Sequence, residues 1–469
     1  MSKRISRRQL LRMTGPLTIG GVLAACAAPP SSAPAAPLAN SGGSAATSAP
    51  AAASPTDAPA SSEKVNLKWD TFRGPGTGWN EERIKTFAEK HANVSIEFRP
   101  LTGASQQDNY GKMYAQFAAG DLGDVIAFDP SHFHFWRAIN KNIIGPIDDL
   151  VAADKTDLKQ WFDQFINLQY FNGKLYGLPS WGWAGQDTMV MNAAQLQDAS
   201  ITPPDPKAYT TSMDTYAEWT RKLYKKGERY GLGIAFDEGH LVTLTRAFNS
   251  DLIDAEGKKS LLADDKNAQE ALRWAYKLAV EDKVLPRPAD MADQAAALLD
   301  GKLSIMWGGS LNARNFKRDI KDKAKTKAEA TQGLLPVRKD GKPPSQIRGG
   351  TWNILKTSKH QSEAFQFIKH ITSFDGCVGF NFVAGQGAFV RPDVLQELVK
   401  KDAVHEWFIP NLTNGIPAHA PANSRGREYT DACVQWATKM MDPNENIPFE
   451  KGIQDLHANI QKVLDMEPA

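Results

Sequence analysis

An α/β protein with a mostly parallel sheet and at least two lobes is predicted by three features of the 469-residue sequence. Strand-like alternation gives way repeatedly to helical spacing, which implies βαβ units. About 400 residues follow residue 62, more than one hydrophobic core organises. No apolar run after the N-terminus approaches membrane-spanning length. Val65, Leu67 and Trp69 alternate with polar residues as a strand and run into a glycine-rich loop at 73–79. Ile84, Phe87 and Ala88 recur at helical spacing, and Val94, Ile96 and Phe98 alternate again. A helix over 109–119 and an apolar strand at 124–128 follow. Parallel sheets bind ligands at the carboxyl ends of their strands, which here means the loops at 73–79 and 129–134. Farther on, Ser212 or Asp214 caps a helix bearing Tyr216, Trp219 and Leu223. Residues 267–282 carry Ala271, Trp274, Ala275 and Leu278 on one face. Ser358 and Gln361 have capping-box spacing before Phe365, Ile368 and Ile371. Ile453, Leu456, Ile460 and Val463 stripe a last helix, and further strands are expected at 231–235, 303–307 and 352–355. There is no internal repeat and no clean midpoint linker, so a two-lobed chain would cross between its lobes more than once.

The N-terminus reads as an address. Lys3, Arg4, Arg7, Arg8 and Arg12 precede any acid, and a small and apolar run follows over 14–25. A basic stretch before a short apolar one marks an export signal. Twelve helical residues span about 18 Å, short of a bilayer core of about 30 Å. Residues Ser6 to Arg12 resemble the twin-arginine (Tat) consensus, with Arg12 in place of the usual lysine. Leu23-Ala24-Ala25-Cys26 resembles a bacterial lipobox, which implies cleavage before Cys26 and lipid on its sulfur. Residues 27–62 are almost wholly Ala, Pro, Ser, Thr and Gly, a composition expected to form a disordered tether with a reach of about 35 Å. The expected organisation is therefore a signal over 1–25 and a lipidated tether over 26–62.

The chain carries 55 Lys+Arg against 53 Asp+Glu, and residues 1–25 hold five of the former and none of the latter. The remainder is slightly acidic and shows no basic stripe, which argues against nucleic acid. Beyond Cys26 only Cys377 and Cys433 remain, and spacing does not say whether they pair. There is no phosphate-binding GxxxxGK[ST] loop and no GxSxG elbow; His132 and His134 lack further ligands at metal-site spacing. No cofactor or metal is expected. Paired glycosidase carboxylates stay open, because their pairing is spatial.

Several elements, taken in order, resemble the family 1 extracellular solute-binding proteins, which include the sugar receptors of ABC importers. Phe117 to Ile126 looks like the family's "aaGxxPDV" element with Gly123 for proline; Gly173 to Pro179 (GKLYGLP) matches "GKxYGLP". Met191-Asn192 stands for "YN", and Ile201 to Pro204 with Ser212 to Tyr216 resembles "GIxxPPxTWdef", with a longer spacer and Met213 for tryptophan. Asp300 to Trp307, Gly349 to Trp352 and Gln386 to Pro392 follow in register with the family's later segments. The resemblance implies a two-lobed, type II periplasmic-binding-protein-like fold with its ligand cleft at a hinge of several crossings, near 181–187, 346–352 and 385–391. One lobe would comprise 63–183 plus 353–386, the other 184–352 plus 387–469. It implies a monomeric binding protein, not an enzyme, held outside the cytoplasmic membrane. The protein would take a small solute, carbohydrate by expectation, to ABC permease subunits. A surface-tethered carbohydrate-active enzyme and a receptor serving a membrane sensor are the alternatives.

Sugars offer flat C–H faces and a rim of hydroxyls, so a site needs aromatic platforms and fixed hydrogen-bond partners. Trp181 and Trp183 follow the GKLYGLP element, Trp307 precedes Gly308-Gly309, Trp352 follows Gly349-Gly350, and Trp79 follows the first glycine loop. These five, with Asp129 and Asp187 as acceptors, are the expected ligand contacts. Trp69, Trp161, Trp219, Trp274 and Trp436 lie on strand or helix patterns and read as core.

Overall fold

A computed structural model describes residues 63–468 apart from 75, 131–132, 186–187, 204–210, 309–329, 335–343, 385–386, 388 and 443. The signal, Cys26, the tether, His132 and Asp187 lie outside the described residues.

The molecule is a two-lobed α/β fold in which each lobe builds on its own sheet. Strand β1 (Val65–Thr71) pairs in parallel with β2 (Val94–Pro100) and β3 (Val125–Phe128). A small hairpin, β4 (Tyr170–Phe171) and β5 (Lys174–Leu175), leads into β6 (Leu178–Gly185). The second sheet holds β7 (Thr188–Asn192), β8 (Tyr230–Gly233), β9 (Leu303–Gly308) and β10 (Ala330–Leu334), in the order β10-β7-β9-β8. The chain then returns to the first sheet with β11 (Gln346–Ile354) and β12 (Ile416–Pro417), giving the order β12-β11-β3-β1-β2 with β6 along β11. The helices that matter below are α1 (Trp79–Ala88), α2 (Gln106–Ala118), α3 (Phe133–Asn140), α4 (Met213–Leu223), α5 (Glu238–Ala247), α6 (Lys266–Tyr276), α7 (Gln361–Ile371), α8 (Phe374–Phe382), α9 (Pro392–Lys401), α10 (Gly426–Met440) and α11 (Phe449–Leu464).

Consecutive strands change sheet at 185–188 and again between β10 and β11, close to two of the expected crossings. The third lies elsewhere. Phe389, Val390, Val394, Leu395 and Leu398 all join the first core, as do Phe408 and Leu412. The chain leaves that core only after β12, and α10 and α11 then supply Tyr429, Trp436, Ile453 and Leu456 to the second. The apolar stripe of α9 needs burial, and the first core lies next to it. Cys377 and Cys433 are both buried and free, one in each core.

Local chemistry explains the element ends. Ser212, not Asp214, caps α4 by accepting the Thr215 N–H. Ser358 departs from its capping-box role: its hydroxyl donates to Asp124 Oδ1 at 2.7 Å, while Gln361 Nε2 donates to Leu355 O at 2.9 Å. The same Oγ accepts from the His360 N–H at 3.1 Å, so the serine serves a local turn and a tertiary carboxylate at once. The hairpin turn of GKLYGLP carries two left-handed residues, Asn172 and Gly173, and Tyr176 O accepts from Asn353 Nδ2 at 2.7 Å. That motif joins the first lobe to the strand that crosses out of it.

Candidate ligand cleft

The carboxyl ends of β1 and β3 release Arg73 and Asp129, and both meet the central strand pair β6–β11. In that ladder Arg348 stands opposite Trp183, and Gly350 stands opposite Trp181. From the second lobe, Asp237 caps α5 by accepting the His240 N–H at 2.9 Å, with Glu238 in its first turn. A cavity of about 520 Å³ opens here, its lining drawn from Gln107, Asp237, Glu238, Arg348, His419 and Tyr429 among others. Gln107 belongs to the first lobe, Arg348 to the hinge strand, and Asp237, Glu238 and Tyr429 to the second. One wall touches every part that a closing motion would move.

The cleft is wired by ionised groups. Arg348 Nη2 donates to Glu238 Oε2 at 2.9 Å and Oε1 at 3.2 Å, and also to Gln346 Oε1 at 2.8 Å. Gln346 Nε2 donates onward to Gly239 O at 2.5 Å and Thr243 Oγ1 at 2.9 Å, which ties β11 to α5. Burial works against the charge of Arg348, yet Glu238, Asp129 and Asp237 outweigh it and hold the guanidinium more firmly protonated than usual. Burial likewise opposes ionisation of Asp237, but the hydrogen bond and charge of His240 pull its carboxyl down to about 2. His240 completes the link by approaching Trp307 O with Nε2 at 3.2 Å. Arg246 joins the lobes at the hinge, donating to Ile416 O and Pro417 O at 2.9 and 3.0 Å while bonding Asp251 at 2.8 Å. Against the cost of burial, Arg246 and His419 keep Asp251 below the usual carboxylate range.

Arg73 is placed by aromatic packing. Its guanidinium lies 4.7 Å from the Trp181 ring centroid and 5.0 Å from that of Phe72. Burial lowers its pKa, with Tyr110 and Asp129 acting in the opposite sense; a guanidinium so placed still stays charged. Asp129 is itself only 4% exposed and acts electrostatically on both Arg73 and Arg348. Nearby, His134 stacks on Tyr110 at 4.0 Å and holds Gln107 Oε1 through Nε2 at 3.0 Å.

The expected contacts divide. Asp129, Trp181 and Trp183 gather around Arg73 and Arg348. Trp183 is the one half-buried tryptophan of the expected set. Trp79, Trp181, Trp307 and Trp352 are at most 1% exposed, so none offers a ring face in this structure. Trp79 and Trp352 stack at 6.5 Å, each also edge-on to Trp69. Their indole N–H groups are spent internally, on Gly376 O at 3.0 Å and Ser180 Oγ at 2.6 Å. Trp307 packs in the second core. Gly182, Gly349 and Gly350 serve packing rather than ligand approach: a Cβ on Gly350 would lie 1.7 Å from Trp181 Cζ2 and one on Gly182 2.2 Å from Phe165 Cε1. Arg73, Arg348, Asp237, Glu238, His419 and Tyr429 went unread in the sequence. Arg73 stood within the glycine loop already singled out, and its charge was the available signal.

Among the described residues no group of three or more His, Cys, Asp or Glu could hold a metal ion, and no helix is long and apolar enough to cross a membrane. The fold matches solved structures of similar architecture. An ABC substrate-binding protein of Listeria monocytogenes in complex with cycloalternan aligns at TM-score 0.68 and 15% identity, covering 86% of this chain and 100% of that one. The GacH receptor of Streptomyces glaucescens, studied unliganded and with acarbose, aligns at 0.66 and 15%, covering 86% and 99%. UgpB of Mycobacterium tuberculosis in complex with glycerophosphocholine aligns at 0.66 and 16%, covering 85% and 98%. No curated protein sequence matches the chain significantly. The model of the bacterial extracellular solute-binding proteins matches residues 82–380; the chain belongs to that family.

Proposed function

We propose that the protein is a receptor tethered by lipid at Cys26 to the outer face of the cytoplasmic membrane, exported by the Tat route. In this reading it captures a sugar or oligosaccharide and hands it to an ABC import permease. The observation that carries the proposal is the cleft wall, built from both lobes and the hinge strand. A ligand seated there makes contacts in the closed state that an open one lacks, so it favours closure by its differential affinity. The ligands of two of the structural neighbours, cycloalternan and acarbose, support a carbohydrate.

The roles follow from chemistry. Ionised carboxylates accept from sugar hydroxyls and guanidinium groups donate to them, and both are strong partners when already oriented. Asp129, Glu238, Arg73 and Arg348 supply such groups. Trp183 supplies the apolar face, and Asp187 is retained as a further acceptor. Trp79, Trp181, Trp307 and Trp352 act behind this layer, with Trp181 as the seat of Arg73. No covalent step is needed.

A thermal-shift screen over mono- and oligosaccharides, polyols and amines, followed by calorimetry, tests the proposal. A carbohydrate that stabilises the protein and loses affinity on Trp183→Ala supports it. Turnover of oligosaccharides by the purified protein would overturn it in favour of an enzyme.

A further inference from the structure

Two polar atoms on the cleft wall are held firmly by their own side chains' bonds and yet bond no described residue themselves. The first belongs to Asp237. Its Oδ1 accepts twice from His240, from the backbone N–H at 2.9 Å and from ring Nδ1 at 2.8 Å. The imidazole is fixed at its other end, where Nε2 meets Trp307 O at 3.2 Å. Against the cost of burial, His240 draws the carboxyl down to about 2, so Asp237 is ionised at neutral pH. Its Oδ2 takes no hydrogen bond from any described residue. The side chain lies on the cavity wall with 49% of its surface open.

The second atom belongs to Arg348. Nη2 divides between Glu238 and Gln346, and Nε reaches Gln346 Oε1 at 3.2 Å. Gln346 stands two residues earlier on the same face of β11 and is itself tied to Gly239 O and Thr243 Oγ1. The guanidinium plane is thereby locked. Nη1 donates to no described residue, and it is not sealed away from the cavity that Arg348 lines. Asp237 and Arg348 feel each other's charge but form no ion pair with each other. An open acceptor on the second lobe therefore shares the cavity with an open donor on the hinge strand.

This arrangement selects by hydrogen-bond direction rather than by net charge. A hydroxyl both donates and accepts. Two hydroxyls on adjacent carbons can therefore satisfy both atoms, one donating to the carboxylate and its neighbour accepting from the guanidinium. A phosphate or carboxylate would face the charge of Asp237, and an ammonium that of Arg348. We propose that Asp237 is a ligand-binding residue, and that its Oδ2 and Arg348 Nη1 together read a vicinal diol of an uncharged carbohydrate. This deepens the carbohydrate reading above and rests on it. A diol held this way also bridges the second lobe to the hinge strand, so the contact that selects the ligand is one that favours closure.

The test is calorimetry on the purified protein with glucose, galactose, mannose, xylose, maltose and trehalose, then with the monodeoxy analogues of the tightest of them. The variant is Asp237→Asn. Asparagine caps a helix as well as aspartate does, and its amide oxygen can keep the His240 bonds while its NH₂ replaces the open acceptor by a donor. The variant is expected to fold and to bind the parent sugar at least about tenfold more weakly. With the parent protein, loss of either of two adjacent hydroxyls is expected to cost at least about tenfold. One of those two losses should cost the variant less than about threefold, because its partner is already gone. A variant that binds like the parent protein would overturn the proposal. So would sensitive hydroxyls that are not adjacent, or deoxy effects identical in the two proteins. Tighter binding of glucosamine or glucuronate than of every uncharged sugar would overturn it as well. A parent protein that binds none of the six sugars overturns the carbohydrate reading and this proposal together, an outcome told apart from the others by the parent titration alone.

Discussion

A methyl group on Gly350 would collide with Trp181, whose ring also seats Arg73. Gly350→Ala is therefore expected to cost about 3 kcal/mol in denaturant unfolding, the scale of overpacking in a filled core, and to weaken ligand binding through Arg73. Neighbouring tryptophans should separate cleanly. Trp307→Ala removes a ring from the second core and is expected to cost about 3–5 kcal/mol. Trp183→Ala leaves the melting temperature nearly unchanged and lowers affinity about tenfold, checked by calorimetry against unfolding. Equal effects on both measurements would place Trp183 in the core with the others. In the sequence these residues look alike, each a tryptophan beside a glycine. A glycine that admits a ligand and one that admits an indole leave the same trace, so their roles became readable only from the distance between Gly350 and Trp181.

At the scale of elements, helices and strands follow local patterns wherever no distant group competes. Ser212 caps α4 through contacts within its own turn, to the Thr215 N–H and hydroxyl, whereas Ser358 also donates to Asp124, more than two hundred residues away. The α1–α7 contact carries a pH prediction. His370 packs against Phe87 and meets Thr86 Oγ1 at 2.9 Å; burial, Arg83 and Lys90 push its pKa down to about 4. The unfolded chain, titrating near about 6.5, thus binds a proton more readily than the folded one. The neutral ring's contribution to stability is complete above about pH 6.5 and is lost as pH falls toward 4. Urea midpoints measured from pH 7 to pH 4 should fall less steeply for His370→Asn than for the parent. Parallel curves for the two would show that His370 does not govern this range.

For the whole molecule, the cleft reading predicts closure. Small-angle scattering should show a smaller radius of gyration with the best ligand bound, and Arg348→Ala should weaken both the compaction and the affinity, because Arg348 joins the hinge strand to Glu238. Compaction without any dependence on Arg348 would locate the switch elsewhere. The proposed address predicts that Cys26→Ser moves the protein from the membrane to the soluble exported fraction, checked by immunoblot of fractionated cells.

The sequence by itself determined the α/β class, the order of strands and helices, and the family, because alternation, helical spacing and motif order are properties of neighbours along the chain. It also placed Asp129 and the loop bearing Arg73 at strand ends, where a parallel sheet leaves its open edge. Tertiary structure alone decided which tryptophans are scaffold, where the third crossing falls, and that Arg348 meets Glu238. Each of those depends on which distant surface a side chain finds, and burial is settled by the neighbours that folding brings rather than by those the chain supplies.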